Sequence, residues 1–429
     1  MIQVIPPRYA ALAVFALAYL LFIALPKRRT ATAAVAVLFA LLLGAISLPD
    51  AFRSVNWNVI GIFAGMGILS HLFFESRVPA VMAEHIVNQT KNTAWALMGI
   101  CLMAGFISSF LDNVSTVLII APIALAVSSR LKVEPTAMLI GIAVSANLQG
   151  TATLIGDPPS MLLAAFAGLN FWEFFFYHGK PAIFFAVELG AVASFIVLWY
   201  FFRHFRQKAP PVREEAVLTW RPTVIILLVI AALIASSFSR ALFGNTAGLI
   251  CLIGAAGALV AEQAFGKKEP LLAHLQKIDW ETVSFLALVF ILVGCLTVNG
   301  WTEYLARQIV LLTGNNVLFG FLVLTFFSVA VSAFVDNIPF LAAMLPVAMS
   351  LAAKVGVDPS PLLFGLLIGA SLGGNITPIG ASANVVACGI LKKEGYTVSF
   401  GQFLRIGLPF TLAAVSAASF FIWLVWIRV

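Results

Sequence analysis

Long apolar stretches run the whole length of the chain, broken by short clusters of charge, proline and glycine. A helix that crosses a bilayer needs roughly 17–25 predominantly apolar residues. That length predicts spans at 8–25, 31–48, 55–74, 94–129, 134–168, 180–203, 221–239, 246–265, 280–299, 316–353, 359–391 and 404–427. The segments 94–129, 134–168 and 316–353 are too long for one simple crossing or carry polar breaks, and 359–391 carries breaks too. Two shorter segments, 77–91 and 301–313, mix apolar with polar residues and precede the segments at 94 and 316. They predict interfacial helices, arms that link a fixed part to a moving part. The fold class is therefore an all-α polytopic membrane protein, with about ten transmembrane helices and two re-entrant hairpins.

The pattern repeats. SSFLDNVSTVLIIAPIA at 108–124 matches SAFVDNIPFLAAMLPVA at 332–348, and ANLQGTATLIG at 146–156 matches ASLGGNITPIG at 370–380. Both matches sit at one constant offset of 224 residues, which pairs Asp112 with Asp336, Asn113 with Asn337, Pro122 with Pro346, Pro135 with Pro359, Gly150 with Gly374, Thr153 with Thr377 and Gly156 with Gly380. Trp57 and Trp280 pair at nearly the same spacing. Polar residues, prolines and glycines in register mark a duplication rather than a chance likeness of apolar runs. The repeats are 1–203, with hairpin 94–129 and broken helix 134–168, and 221–429, with hairpin 316–353 and broken helix 359–391. The polar stretch 204–220 joins them as a cytoplasmic linker.

Charge changes this picture by giving it an orientation. With the loop Lys27-Arg28-Arg29 placed in the cytoplasm and five crossings counted per half, 18 of the 25 Lys and Arg residues fall inside. They include Lys132, Arg213, Lys267 and Lys268, while Arg240 falls outside. The positive-inside rule favours this arrangement. It puts both termini outside a bacterial or archaeal inner membrane and makes the halves an inverted repeat, an architecture common among secondary transporters. The net charge of +7 is thus spent on topology and gives no reason to expect nucleic acid. The 62% apolar and 10% charged composition leaves too few charges to cover a soluble surface, where about 25% is usual. The first apolar run lacks a basic leader and a cleavage site, so it reads as a retained helix.

Few groups remain to carry chemistry. Asp112 and Asp336 stand midway in long apolar stretches, each followed by an asparagine and flanked by hydroxyls: Ser108, Ser109, Ser115 and Thr116 in the first copy, Ser332 in the second. Ionisable groups deep in lipid are expensive and mark sites. Here they suit a proton carrier or a cation ligand, or they cap the following half-helix. Each tip is either an outer turn between two crossings or, as the lack of water-favouring charge suggests, a re-entrant turn at mid-depth.

The second constellation is 147–160 with its counterpart 371–384. Glycine and proline break the helix there, freeing carbonyls beside Asn147, Thr151, Thr153, Asn375, Thr377, Ser382 and Asn384. Oxygens of this kind bind a hard cation or a polar solute. With Asn113, Asn337, Ser109, Ser115 and Thr116 they form the candidate substrate set, and Asp112, Asp336 and Asp157 form the coupling set. Asp157, which faces Ala381 in the repeat, is either an asymmetric coupling group or the cap of a half-helix starting at Pro158.

Glu188 predicts an interhelical hydrogen bond, and His71 with Glu75 predicts snorkelling side chains at a span end. The GxxxG at Gly61 and Gly65 is a weak dimer signal. Cys101, Cys251, Cys295 and Cys388 are scattered singly, which predicts neither disulfides nor a metal site. Phosphate loops, dinucleotide fingerprints and serine-elbow motifs do not occur, so neither an ATP-driven pump nor an enzyme is expected, and no cofactor beyond a coupling proton or sodium ion.

The strings SSFLDNVSTVLIIAPIA, GTATLIGDPPS, SAFVDNIPFLAAMLPVA and LGGNITPIGASANVVACGI resemble the ion transporter superfamily over nearly the whole chain. Within it they are similar to the branch of arsenite/antimonite efflux permeases, D-type sodium/proton antiporters and the melanosomal P protein, with the GDPP and ASAN forms closest to the P-protein-like subgroup. The resemblance implies a scaffold, a mobile core holding two opposed hairpins, a homodimer and elevator-type movement. In the distantly similar dicarboxylate branch the tips carry Ser-Asn-Thr; here they read Asp112-Asn113-Val114 and Asp336-Asn337-Ile338, and a tip carboxylate is a poor neighbour for a dianion. Arsenous acid, an uncharged triol, suits Asn, Ser, Thr and Asp oxygens without any thiol. The expectation is a secondary exporter of arsenite or antimonite driven by proton antiport through Asp112 and Asp336. The alternatives are a sodium/proton antiporter and an anion channel or uniporter of the same fold. Whether a soluble arsenic-stimulated ATPase joins it is left open.

Overall fold

The computed structural model describes residues 6–25, 28–131, 133–208, 216–238, 246–266, 270–314 and 316–428. Lys27, Lys132, Arg213, Arg240, Lys267, Lys268 and the middle of the linker, 209–215, lie outside the described residues.

The first half forms helices α1 (Pro7–Ala24), α2 (Arg29–Leu42), α3 (Leu48–Ser54), α4 (Trp57–Glu75), α5 (Val78–Gln89), α6 (Thr93–Ser108), α7 (Asn113–Leu131), α8 (Thr136–Gly150), α9 (Pro158–Ala167) and α10 (Ile183–Phe202). The second half forms α11 (Arg221–Ser237), α12 (Ala247–Phe265), α13 (Leu271–Gln276), α14 (Trp280–Val298), α15 (Trp301–Thr313), α16 (Val317–Ser332), α17 (Asn337–Val355), α18 (Ser360–Gly373), α19 (Ser382–Lys393) and α20 (Phe400–Ile422). Among the described residues, eight helices are long and apolar enough to cross a membrane. The predicted spans 31–48 and 221–239 come out as shorter helices of 14 and 17 residues. A hairpin of two-residue strands, Phe176–Tyr177 with Lys180–Pro181, departs from the all-helical expectation. It turns through His178 and Gly179, both at positive φ, as a tight hairpin demands.

The duplication is visible in the caps. Asn56 caps α4 and Asp279 caps α14 at equivalent positions; Asn92 caps α6 and Asn316 caps α16. A left-handed residue sits at each junction into the arm helices, Arg77 (φ 63) before α5 and Gly300 (φ 73) before α15.

Packing is reciprocal as well. Helix α9 lies against α17 and α18, while α19 lies against α7 and α8. Such exchange of like for like is what a two-fold relation produces.

Helices α8 and α18 are buried on every side, which explains why their sequences show no polar face. By contrast α1 buries only Ala10, Ala11, Ala18 and Phe22. Leu17, Leu20, Leu38, Phe39, Val192 and Ile196 stand exposed around the rim, an apolar outer surface that suits lipid. Gly61 and Gly65 are used within the chain, where α4 packs on Gly248 and Cys251 of α12.

Candidate solute and ion site

Helices α6 and α16, with 16 residues each, reach about 24 Å at 1.5 Å per residue. That is short of the roughly 30 Å of bilayer hydrocarbon. Each ends in a turn that delivers an aspartate to the start of the next helix. Asp112 accepts a hydrogen bond from Ser115 N at 2.7 Å, and its carbonyl accepts one from Thr116 Oγ1 at 2.9 Å. Asp336 accepts one from Ile338 N at 3.0 Å. Capping is therefore present at both tips, and it leaves each carboxylate with lone pairs to spare.

The two tips then diverge. The other oxygen of Asp336 is paired with Arg29 Nη1. Arg29 opens α2, donates from Nη2 to Thr282 Oγ1 at 3.2 Å, and lies 4.9 Å from the ring centre of Phe285. Both partners come from α14. Asp112 pairs with no cation among the described residues. Sequence reasoning missed the Arg29 contact, because the partners lie 307 residues apart. The one available signal was a basic residue placed directly against an apolar helix.

Between the tips the unwound segments meet. Asn147 Nδ2 donates to Asn375 Oδ1 and to Asn384 Oδ1, each at 2.9 Å. Asn384 Nδ2 donates to the carbonyls of Gly374 and Thr377 at 2.9 and 3.0 Å, and Asn375 Nδ2 to that of Val144 at 3.2 Å. Asn113 accepts from Ser108 Oγ at 2.6 Å and reaches Asn147 Oδ1 at 3.4 Å. Both amide hydrogens of Asn147 and of Asn384 are consumed, while carbonyl lone pairs remain. Apart from one amide hydrogen each on Asn375 and Asn113, the spare capacity is acceptor capacity, which suits a cation or a hydroxyl-bearing solute better than an anion.

Threonines fasten the breaks to the tips. Thr153 Oγ1 donates to the carbonyl of Ser109, and Thr377 Oγ1 to that of Ala333, a pair at the repeat offset. A Cβ on Gly156 would collide with the carbonyls of Gly150 and Ser109, and one on Gly380 with those of Gly374 and Ala333. Glycine is required there by close backbone approach.

Asp157 caps α9 through Ser160 N at 2.9 Å and is buried, within electrostatic reach of Asp112. Thr151 Oγ1 bonds back to the carbonyl of Asn147 at 3.3 Å. Ser109 Oγ bonds to the carbonyl of Phe106 at 2.7 Å. Asn337 opens α17 without a side-chain hydrogen bond among the described residues, and Ser382 is exposed in the first turn of α19, outside the cluster. Gln149 Nε2 donates to Glu188 Oε2 at 3.3 Å, the interhelical bond expected of Glu188. Neither partner has an equivalent in the second half, where Gly373 replaces Gln149.

Paired short helices, buried polar breaks and an apolar rim define a polytopic membrane transporter of the secondary class. Residues 19–369 and 248–428 match the citrate transporter family, and the chain belongs to it. An uncharacterized transporter of Mycobacterium tuberculosis is 32% identical over 96% of this chain and 97% of its own. The P protein of Mus musculus is 26% identical over 94% of this chain and 58% of its own. The YdaH transporter of Alcanivorax borkumensis shares the fold with a TM-score of 0.59 at 15% identity, covering 86% of this chain and 84% of that one. MtrF of Neisseria gonorrhoeae, described with a class of antimetabolite efflux pumps, has a TM-score of 0.57 at 13% identity and covers 86% and 81%.

Proposed function

We propose that the protein is a proton-coupled antiporter that exports a small, hydroxyl-rich neutral solute, with arsenite or antimonite as the leading candidates. In this reading Asp112 and Asp336 carry the protons and the Asn147–Asn375–Asn384 cluster holds the solute. The observation that carries it is the leftover acceptor capacity of that cluster. A triol donates three hydrogen bonds and brings no charge into an apolar surrounding, where an unpaired ion would be costly.

Protonating Asp336 removes its attraction for Arg29 and releases the hairpin from α2 and α14. The body of α6–α9 and α16–α19 then moves against the remaining helices, the elevator step. The two halves lie inverted in the membrane, re-entering from opposite leaflets. The homodimer implied by the resemblance belongs to this reading too.

A second reading is carboxylate transport, which the family's description suggests and which Arg29 beside the second tip would serve once freed from Asp336. A sodium/proton antiporter and a uniporter are the other outcomes.

Expression in an arsenite-sensitive strain tests the first reading: restored growth on arsenite, lost in Asp336→Ala at equal folded protein, is expected. Salt or lithium tolerance instead transfers the assignment to cation exchange. Citrate uptake into proteoliposomes transfers it to carboxylates. Flux that ignores a pH gradient removes the coupling.

A further inference from the structure

At the end of the molecule where α4 gives way to the arm helix α5, His71, Glu75 and His274 converge. Their ligand atoms all lie within 4.8 Å of one another. His71 Nε2 is 3.0 Å from Glu75 Oε1, without the geometry of a hydrogen bond. The two imidazole rings are 6.2 Å apart, centre to centre.

An independent observation concerns His274. It is 3% exposed, yet among the described residues neither Nδ1 nor Nε2 has a hydrogen-bond partner. A buried polar atom left unmet is costly, and a bound ion would remove that cost. Helix α13, which carries this histidine, has six residues and is held at its end by Trp280 Nε1 donating to the carbonyl of Leu275 at 2.8 Å. Among the described residues the ring thus has no hydrogen-bonding partner of its own.

We infer that His71, Glu75 and His274 form a binding site for a borderline transition-metal dication of the zinc class. Two imidazoles and one carboxylate are the donor set such ions take, with a fourth position left for water. The hard ions magnesium and calcium prefer oxygen alone. Distances of up to 4.8 Å between donor atoms close to a tetrahedral spacing by small side-chain rotations. One rival cation is built in: Lys277 Nζ lies 2.7 Å from the Glu75 oxygen that the metal would take, so metal binding displaces Lys277.

The site has a position suited to control. Glu75 is the last residue of α4, and Arg77, two residues on, is the left-handed hinge into α5. A metal bridging α4 to α13 fixes the base of that hinge. It is separate from the asparagine cluster, and the inference stands whatever solute the protein carries.

Titration of the purified full-length protein with Zn2+ by calorimetry, and with Co2+ followed by its visible d–d bands, tests the site. The expected result is saturable binding of one equivalent with a tetrahedral cobalt spectrum. His71→Ala and His274→Gln should weaken it by more than the roughly 10–100-fold that loss of an outer-shell partner costs. Lys277→Ala should tighten it by removing the competitor, and since it deletes no ligand it keeps the test open should His274→Gln misfold. Absence of saturable binding to the wild type, or binding unchanged in both histidine variants, overturns the inference.

Discussion

The Arg29–Asp336 pair ties a helix of one half to the hairpin tip of the other, and removing it should change how that tip is held. Their side chains are 20% and 26% exposed, between the open surface, where a pair is worth about 0.2–1 kcal/mol, and full burial. Hydrogen bonds to charged groups contribute about 1.5–3 kcal/mol. Loss of the contact should therefore shift the balance between docked and released hairpin by about 1–3 kcal/mol, or roughly 5–150-fold.

Arg29→Gln removes the charge and keeps most of the side chain's bulk against Phe285. Asp336→Asn removes the partner charge and keeps an oxygen that can accept the cap from Ile338 N. A cysteine at position 337, where Asn337 makes no side-chain bond among the described residues, serves as the reporter once Cys101, Cys251, Cys295 and Cys388 are replaced. Its rate of modification by a membrane-impermeant maleimide in vesicles should change by that factor in each single variant.

The double variant should change it no further. Arg29 also holds Thr282, so the cycle is needed to isolate the pair. Additive effects, with a coupling below about 0.5 kcal/mol, would refute the claim that these two groups act on each other.

Asn147→Leu strips the donors from Asn375 and Asn384 and should cost about 1–3 kcal/mol in thermal unfolding in detergent, together with transport. Intramembrane hydrogen bonds often measure less, near 0.6 kcal/mol each, so the low end is the stricter expectation. Gly156→Ala and Gly380→Ala should each cost about 1–3 kcal/mol, because the added methyl meets backbone carbonyls that cannot step aside; monodispersity on size exclusion reports the effect. Gly300→Ala places a side chain at φ 73 and should cost about 1–2 kcal/mol, read as a lower unfolding temperature with the asparagine cluster unaffected.

The duplicated plan was legible because breaks, caps and tips recur at a fixed offset, and a constraint that acts locally leaves its residues in local sequence. Asp112 and Asp336 capping the next helix, Asp157 capping α9, and Glu188 finding a partner on a neighbouring helix all follow from position in an apolar run. The contacts that make the site asymmetric were not legible. Arg29 reads as a topological charge until its distant partner is known, and a pair 307 residues apart leaves no periodic trace. Asn147, Asn375 and Asn384 were legible as one candidate set, but their mutual hydrogen bonds were not, since the counterpart of Asn147 is Ser371 and that of Asn384 is Ser160. Amide and hydroxyl at matched positions look like drift, yet it is the amide of Asn147 that donates to both Asn375 and Asn384. Reading His71 and Glu75 as snorkelling side chains missed His274 and Lys277, which arrive from the other half.

The threonine fastenings at Thr153 and Thr377 bear on what a cargo's exit route can be. Each hairpin turn is sewn to an unwound strand through a carbonyl, with glycine backbones too close for a side chain to pass between. On the elevator reading proposed above, a cargo held between two turns so stitched would travel with them, and the seam that opens would be the one facing α2, α4 and α14.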